Sequence, residues 1–181
     1  MKELSLNILD ISENSVKANA TRIEIALTET AQLLTITITD NGCGMKSDFL
    51  AAVTDPFTTT RTTRKVGLGI PLFKLAAEQT GGELTITSGH IDEHPEDHGT
   101  VISAVFHKDH IDFTPLGDII STLTVLIQGS PDIHWVYTHK TEKGEIGLDT
   151  DELKAVLGDV PLNNIDVICW IKEYLKEQYE S

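Results

Sequence analysis

Cysteine, cationic side chains and long apolar runs are all scarce in this chain. Cys43 and Cys169 are the two cysteines in 181 residues. They lie far apart with no paired spacing, which speaks against a disulfide framework and suits a reducing, cytoplasmic compartment. No stretch approaches the ~20 apolar residues of a membrane span, and no leader-like segment precedes the first helical pattern. Lys plus Arg number 14 against 28 Asp plus Glu, a formal net charge of −14. That balance argues against general nucleic-acid binding. Internal repeats and low-complexity tracts are absent too. What is there is 40% hydrophobic, enough for one folded domain and an appendage.

The first periodic segment is helical. At about 100° per residue, Asn7, Asp10, Asn14 and Lys17 fall within one narrow arc. Leu4, Ile8, Ile11 and Ala18 fill a second arc, and Leu6, Leu9 and Val16 a third. A helix apolar on two faces is expected to be packed between neighbours, so the polar strip is not an ordinary wet face. It carries a carboxylate, an amide and an ammonium on successive turns. A carboxylate can orient water, an amide oxygen can bind magnesium, and a lysine can meet phosphate.

Two further segments carry chemistry. In Leu33–Met45, strict alternation puts Leu34, Ile36, Ile38 and Asp40 on one strand face. Asp40 thus ends an apolar face and is expected to point inward, where a carboxylate needs donors to offset its desolvation. The exocyclic amine of adenine is one suitable donor. Gly42 and Gly44 are expected to leave room for a flat base. The segment 55–72 gathers Thr58, Thr59, Arg61, Arg64 and Lys65 before Gly67-Leu68-Gly69-Ile70-Pro71. Pro71 in a first turn and Gly81 just past the last one frame a helix. Free amides at its start suit phosphate oxygens.

In this order the segments resemble the GHKL superfamily of ATP-binding domains, which includes DNA gyrase B, MutL, a heat-shock chaperone and the sensor histidine kinases. Ile11–Thr21 resembles the family's N box, close to the MutL version. Asp40–Met45 resembles the first glycine box. Phe57-Thr58-Thr59-Thr60-Arg61 with Gly67–Leu72 resembles the F box and second glycine box of the kinases, and Gly81–Leu84 and Gly99-Thr100 also fit. The resemblance covers residues 1–107. It implies an α+β fold, a two-layer α/β sandwich with a mixed sheet and helices on one face. It implies Asn14 as the Mg²⁺ ligand, Asp40 on the adenine amine with Gly42, Gly44 and Thr100 beside it, and Lys17 on phosphate. Thr58, Thr59 and Arg61 join the phosphate side, with the amides of Gly67, Leu68 and Gly69 cradling it. Where hydrolytic members carry a glutamate as general base, one turn before the asparagine, this chain has Asp10. ATP hydrolysis, phosphotransfer to a partner protein and nucleotide sensing are the functions the resemblance leaves open.

The expected order is helix, hairpin, short helix, lid, helix, hairpin. Residues 1–112 form the nucleotide-binding domain and 113–181 an α/β extension. In the extension, Asp118 should cap a helix to Ile127, strands should meet around Lys143-Gly144, and Thr150 should cap Asp151–Leu157. A last helix, 164–178, should bury Ile165, Ile168, Cys169, Ile171, Tyr174 and Leu175. His90, His94 and His98, spaced by four among carboxylates, could hold a metal. Pro95 breaks the helix that would align them, so a solvated loop is expected.

Overall fold

The computed structural model describes residues 3–53 and 68–181. In chain order the elements are α1 (Leu4–Lys17), β1 (Arg22–Glu29), β2 (Leu33–Asp40), α2 (Ser47–Val53), α3 (Gly69–Gln79), β3 (Glu83–Gly89) and β4 (Gly99–His107). There follow α4 (Ile119–Gly129), β5 (His134–Thr141), β6 (Gly144–Asp149), α5 (Thr150–Leu157) and α6 (Ile165–Glu180). Six strands form one sheet in the order β3-β4-β2-β1-β5-β6. Every pairing is antiparallel except β1 with β5, so the sheet is mixed as expected.

Alternation decides which face is covered. Ile23, Ile25 and Leu27 of β1, and Leu34, Ile36 and Ile38 of β2, are buried on one side. Parallel register puts Trp135, Tyr137 and His139 of β5 level with the β1 residues, and they are buried as well. The opposite face carries half-exposed Thr35, Thr37, Thr39 and Ser103. On the apolar side, α3 packs on β3 and β4, with Phe73 against Phe106 at 5.7 Å between ring centroids. Helix α1 lies between α3 and α4, and α6 packs on α4 and β6. Residues 113–181 thus continue the same sheet and the same apolar core as residues 1–112.

Helix α1 departs from its expected pattern. Leu6 is exposed, and Leu9 and Val16 are half-buried, while Ser5, Ser12 and Ser15 are buried. The Thr122 hydroxyl of α4 reaches the Ser5 carbonyl at 3.2 Å. Small hydroxyl residues let α1 approach its neighbours closely, whereas Leu6 overhangs the edge of the contact. The cap of α5 is Asp149, which accepts from Asp151 N at 2.9 Å. Thr150 is instead buried, and its hydroxyl accepts from Trp135 N at 2.8 Å. In α6, Ile165, Cys169 and Tyr174 face outward. Val167, Ile168, Ile171 and Leu175 are the buried stripe. Asp118 caps α4 as expected, accepting from Ser121 N at 3.0 Å. Among the described residues no helix is long and apolar enough to cross a membrane.

A polar cluster closes the far end of β1. Glu29 accepts from Lys108 Nζ and from His139 Nε2, each at 2.8 Å. His139 Nδ1 meets the Tyr179 hydroxyl at 2.8 Å, and that hydroxyl meets Tyr137's at 2.6 Å. Burial pushes both phenols up, Tyr179 to about 12. For Glu29, burial would raise the carboxyl pKa, but the Lys108 and His139 hydrogen bonds more than reverse it. A carboxylate lowered on folding stabilises above its unfolded pKa and loses that contribution as pH falls through the folded value. Glu29→Gln should therefore cost about 1–3 kcal/mol at neutral pH. Urea denaturation of both proteins should show this difference shrinking toward zero as pH drops below the usual carboxylate range.

Candidate nucleotide-binding site

A cavity of about 360 Å³ opens between α1, the C-terminal end of β2, β4, α2 and α3. Its apolar walls are Ile11, Ala18, Met45, Phe49, Ile70 and Ile102, and its polar lining is Asn14, Ser15, Lys17, Asp40 and Thr100. Gly44 completes the lining. Of the polar strip of α1, Asn14 and Lys17 line this cleft, while Asn7 and Asp10 do not. Asn7 is buried, Asp10 and Asn14 are half-buried, and Lys17 is exposed.

Register builds one end of the cleft. Asp40 of β2 lies directly opposite Thr100 of β4, and Thr100 opposite Ser88 of β3. Asp40 ends the buried face of β2 and is held by two donors. The Ser15 hydroxyl donates to Oδ2 at 2.6 Å and the Gly42 amide to Oδ1 at 2.9 Å. A carboxylate has about four acceptor positions, so about two remain for a donor arriving through the cleft. The Ser88 hydroxyl donates to the Gly99 carbonyl at 3.0 Å. It can therefore only accept from Met45 N and from Thr100 Oγ1, both at 2.8 Å. That leaves the Thr100 oxygen able to accept. Ser15 and Ser88 are the site residues that sequence reasoning missed. Ser15 sits inside the quoted N-box run, but Ser88 is readable only from strand register.

The two loop glycines are required by the backbone packed around them. A Cβ on Gly42 would stand 2.8 Å from the Ala18 carbonyl oxygen, and one on Gly44 would collide with the Gly89 carbonyl oxygen. The space a Cβ would take at each is filled by the chain's own backbone, and Gly44 also lines the cleft. Gly44 also has φ of +75°, which disfavours any Cβ.

The other end of the cleft is the start of α3, which has no side-chain cap. Leu68 is its exposed N-cap residue, and Gly69 faces α1. A Cβ at Gly69 would meet Asp10 Cβ at 3.5 Å and Asn14 Nδ2 at 3.8 Å, ordinary contact distances. The first backbone amides of α3 thus adjoin Asp10 and Asn14. Burial raises the Asp10 carboxyl above its ordinary value, and the Lys17 ammonium pulls the other way. Thr58, Thr59, Arg61, Arg64, Lys65 and Gly67 lie outside the described residues.

The loop before β4 folds behind Asp40. His98 Nδ1 donates to the Gly42 carbonyl at 2.5 Å, which fixes the proton on that nitrogen. Among the described residues no group of three or more His, Cys, Asp or Glu side chains could hold a metal. His90, His94 and His98 are not brought together into such a group.

Residues 2–110 match the family described as Histidine kinase-, DNA gyrase B-, and HSP90-like ATPase. The chain belongs to that family. An NtrY-like sensor histidine kinase of Rickettsia bellii is 26% identical over 112 residues, covering 61% of this chain and 17% of that protein. The chain thus spans under a fifth of that relative's length. The Aquifex aeolicus MutL ATPase domain complexed with ADP shares the fold, with a TM-score of 0.54 at 12% identity over 87% of this chain and 69% of that one. The N-terminal domain of a DNA repair protein is similar, with a TM-score of 0.53 at 16% identity over 82% and 52%. Residues 1–112 cannot supply such shares of the chain, so the common fold continues past residue 112.

Two glycine substitutions should separate backbone need from ligand contact. Gly44→Ala should lower stability by at least about 2 kcal/mol, because it adds left-handed strain to a backbone collision. Gly69→Ala should leave stability within about 0.5 kcal/mol or raise it slightly, since helix propensity favours alanine. Denaturant midpoints of the two variants check this, and equal losses would contradict the assigned contacts.

Proposed function

We propose that the protein binds Mg-ATP in the cleft between Asp40 and the start of α3 and signals nucleotide state to a partner protein in the cytoplasm. The observation that carries this is the Asp40 carboxylate. It is fixed by Ser15 and Gly42, keeps acceptor capacity, and lines a cleft whose other walls include Ile11, Met45, Phe49, Ile70 and Ile102. A flat base with an exocyclic amine suits such a site, because its faces meet Ile11, Ile70 and Ile102 while its amine meets the carboxylate. Thr100 stands next to Asp40 with a free acceptor. Lys17, Asn14 and the α3 amides would meet the phosphates, where Gly67 and the 58–61 threonines and arginine also belong in this reading. Asn14 lines the cleft, and its amide oxygen is a donor type that magnesium accepts together with phosphate oxygens and water. The metal would neutralise phosphate charge in a protein whose own net charge is −14.

A second reading, hydrolysis, draws support from Asp10. Its carboxyl pKa is raised by burial, and it adjoins Gly69 and Asn14, where the terminal phosphate would lie. A base raised toward neutrality is better matched to activating water.

Titration with fluorescent ATP tests the first reading. Asp40→Asn should weaken binding by about one to two decades, the worth of one charge-assisted hydrogen bond. GTP should bind worse than ATP, since its ring presents a carbonyl to Asp40. Unchanged affinity in the variant would overturn the assignment. For the second reading, phosphate release should fall roughly 10²–10⁴-fold in Asp10→Ala while ATP affinity holds. Equal turnover would remove Asp10 from that role.

A further inference from the structure

Several apolar side chains that follow the last strand are exposed. Val156 is 86% exposed and Trp170 50%, and Val160, Ile165 and Tyr174 are exposed too. A groove of about 480 Å³ runs along the outer edge of β6 between α5 and α6, and none of its residues lines the cleft at Asp40. Leu153 and Val156 give it an apolar side. Trp170 and Tyr174, one turn apart on α6, stack with centroids 4.9 Å apart at 11°.

The polar lining has one sign. Glu145, Asp149 and Glu152 line the groove, and no lysine or arginine among the described residues does. Asp149 is already engaged by His134 and by the Asp151 amide. Glu145 and Glu152 pair with no cation among the described residues. Glu145 has Lys140 opposite it across the β5–β6 ladder but forms no ion pair with it. Two carboxylates in one groove with a half-exposed Trp170 suit a cation able to stack.

The backbone edge of β6 is closed at its middle. Gly147 N donates to Gln178 Oε1, and Gln178 Nε2 donates to the Gly147 carbonyl, both at 3.0 Å. The glutamine amide thus occupies the place of a neighbouring strand, so a seventh strand could not add without displacing it. What the groove offers a partner is side-chain chemistry.

We propose that this groove docks a short cationic segment of a partner protein. An arginine would sit on Trp170 beside Glu145 and Glu152, with an apolar neighbour against Leu153 and Val156. Arginine fits better than lysine because its planar guanidinium can stack and pair at once. The proposal goes beyond the nucleotide reading and does not depend on it.

The test uses the full chain, ¹⁵N-labelled, without nucleotide. It is titrated with a blocked peptide of alternating leucine and arginine, then with the same peptide carrying citrulline for arginine. Amide shifts should cluster in residues 145–157 and 168–178. Citrulline should weaken binding by roughly tenfold or more, as should the double change Glu145→Gln, Glu152→Gln. Glu93→Gln with Glu96→Gln, an equal charge change elsewhere, should leave affinity unchanged. Equal affinity for the citrulline peptide, shifts spread over the acidic surface, equal loss from the control pair, or no binding at millimolar peptide would each overturn the proposal. A tenfold gain from Gln178→Ala would also overturn it, since the occupant would then be an added strand.

Discussion

The carboxylate of Asp40 sits where an apolar strand face ends, and much of the surrounding structure answers the cost of placing it there. A half-buried charge is tolerable only with donors in place. One donor, Ser15, is on α1, so the helix has to dock with that hydroxyl aimed at β2. The other, the Gly42 amide, requires the chain to turn directly after the strand. That turn runs so close to the end of α1 that Ala18 leaves no room for a Cβ at Gly42, and the Ala18 carbonyl accepts from Cys43 N at 2.9 Å. The helix, the strand end and the loop are therefore one rigid assembly built around a single charge.

From that assembly the rest of the cleft follows. Asn14 precedes Ser15, so docking Ser15 on Asp40 also brings Asn14 to the start of α3. The start of α3 lies beside Asp10 and Asn14 at Gly69, where even a Cβ would make only ordinary contacts. In the proposed reading, this helix start without a side-chain cap, beside the Asn14 amide, suits phosphate oxygens. At the other end, the row Ser88, Thr100 and Asp40 crosses three strands in register and anchors Met45 to the sheet.

Much of this was legible before any coordinates. Period-two alternation in Ile23–Leu27 and Leu34–Ile38 identifies the buried face of two strands, and the same alternation predicts the direction of Asp40. The strip Asp10, Asn14, Lys17 follows from helical spacing alone. Other features rest on contacts distant in sequence. The parallel pairing of Ile23 with Trp135 joins the C-terminal third to the first strand, and no local pattern encodes it. Hydrophobicity misjudged α1, because Ser5, Ser12 and Ser15 are buried through their small size while Leu6 is left at the rim. Glycine at 42 and 44 reads from sequence as room for a base, and only the fold shows that Ala18 and Gly89 also leave no room for a Cβ there. Thr150 and Asp149 are both plausible caps by type, and only the position of Trp135 N decides between them.

The central claim is that Asp40 reads the exocyclic amine of adenine, and it is tested most directly from the ligand side. Calorimetric titration of the unaltered protein with Mg-ATP and with purine riboside triphosphate, which lacks that amine, isolates the contact without touching the fold. The account predicts that the analogue binds about one to two decades more weakly. It also predicts that this gap narrows to less than about threefold in Asp40→Asn, because the partner of the amine is then gone. Equal affinity for the two nucleotides in the unaltered protein would contradict it.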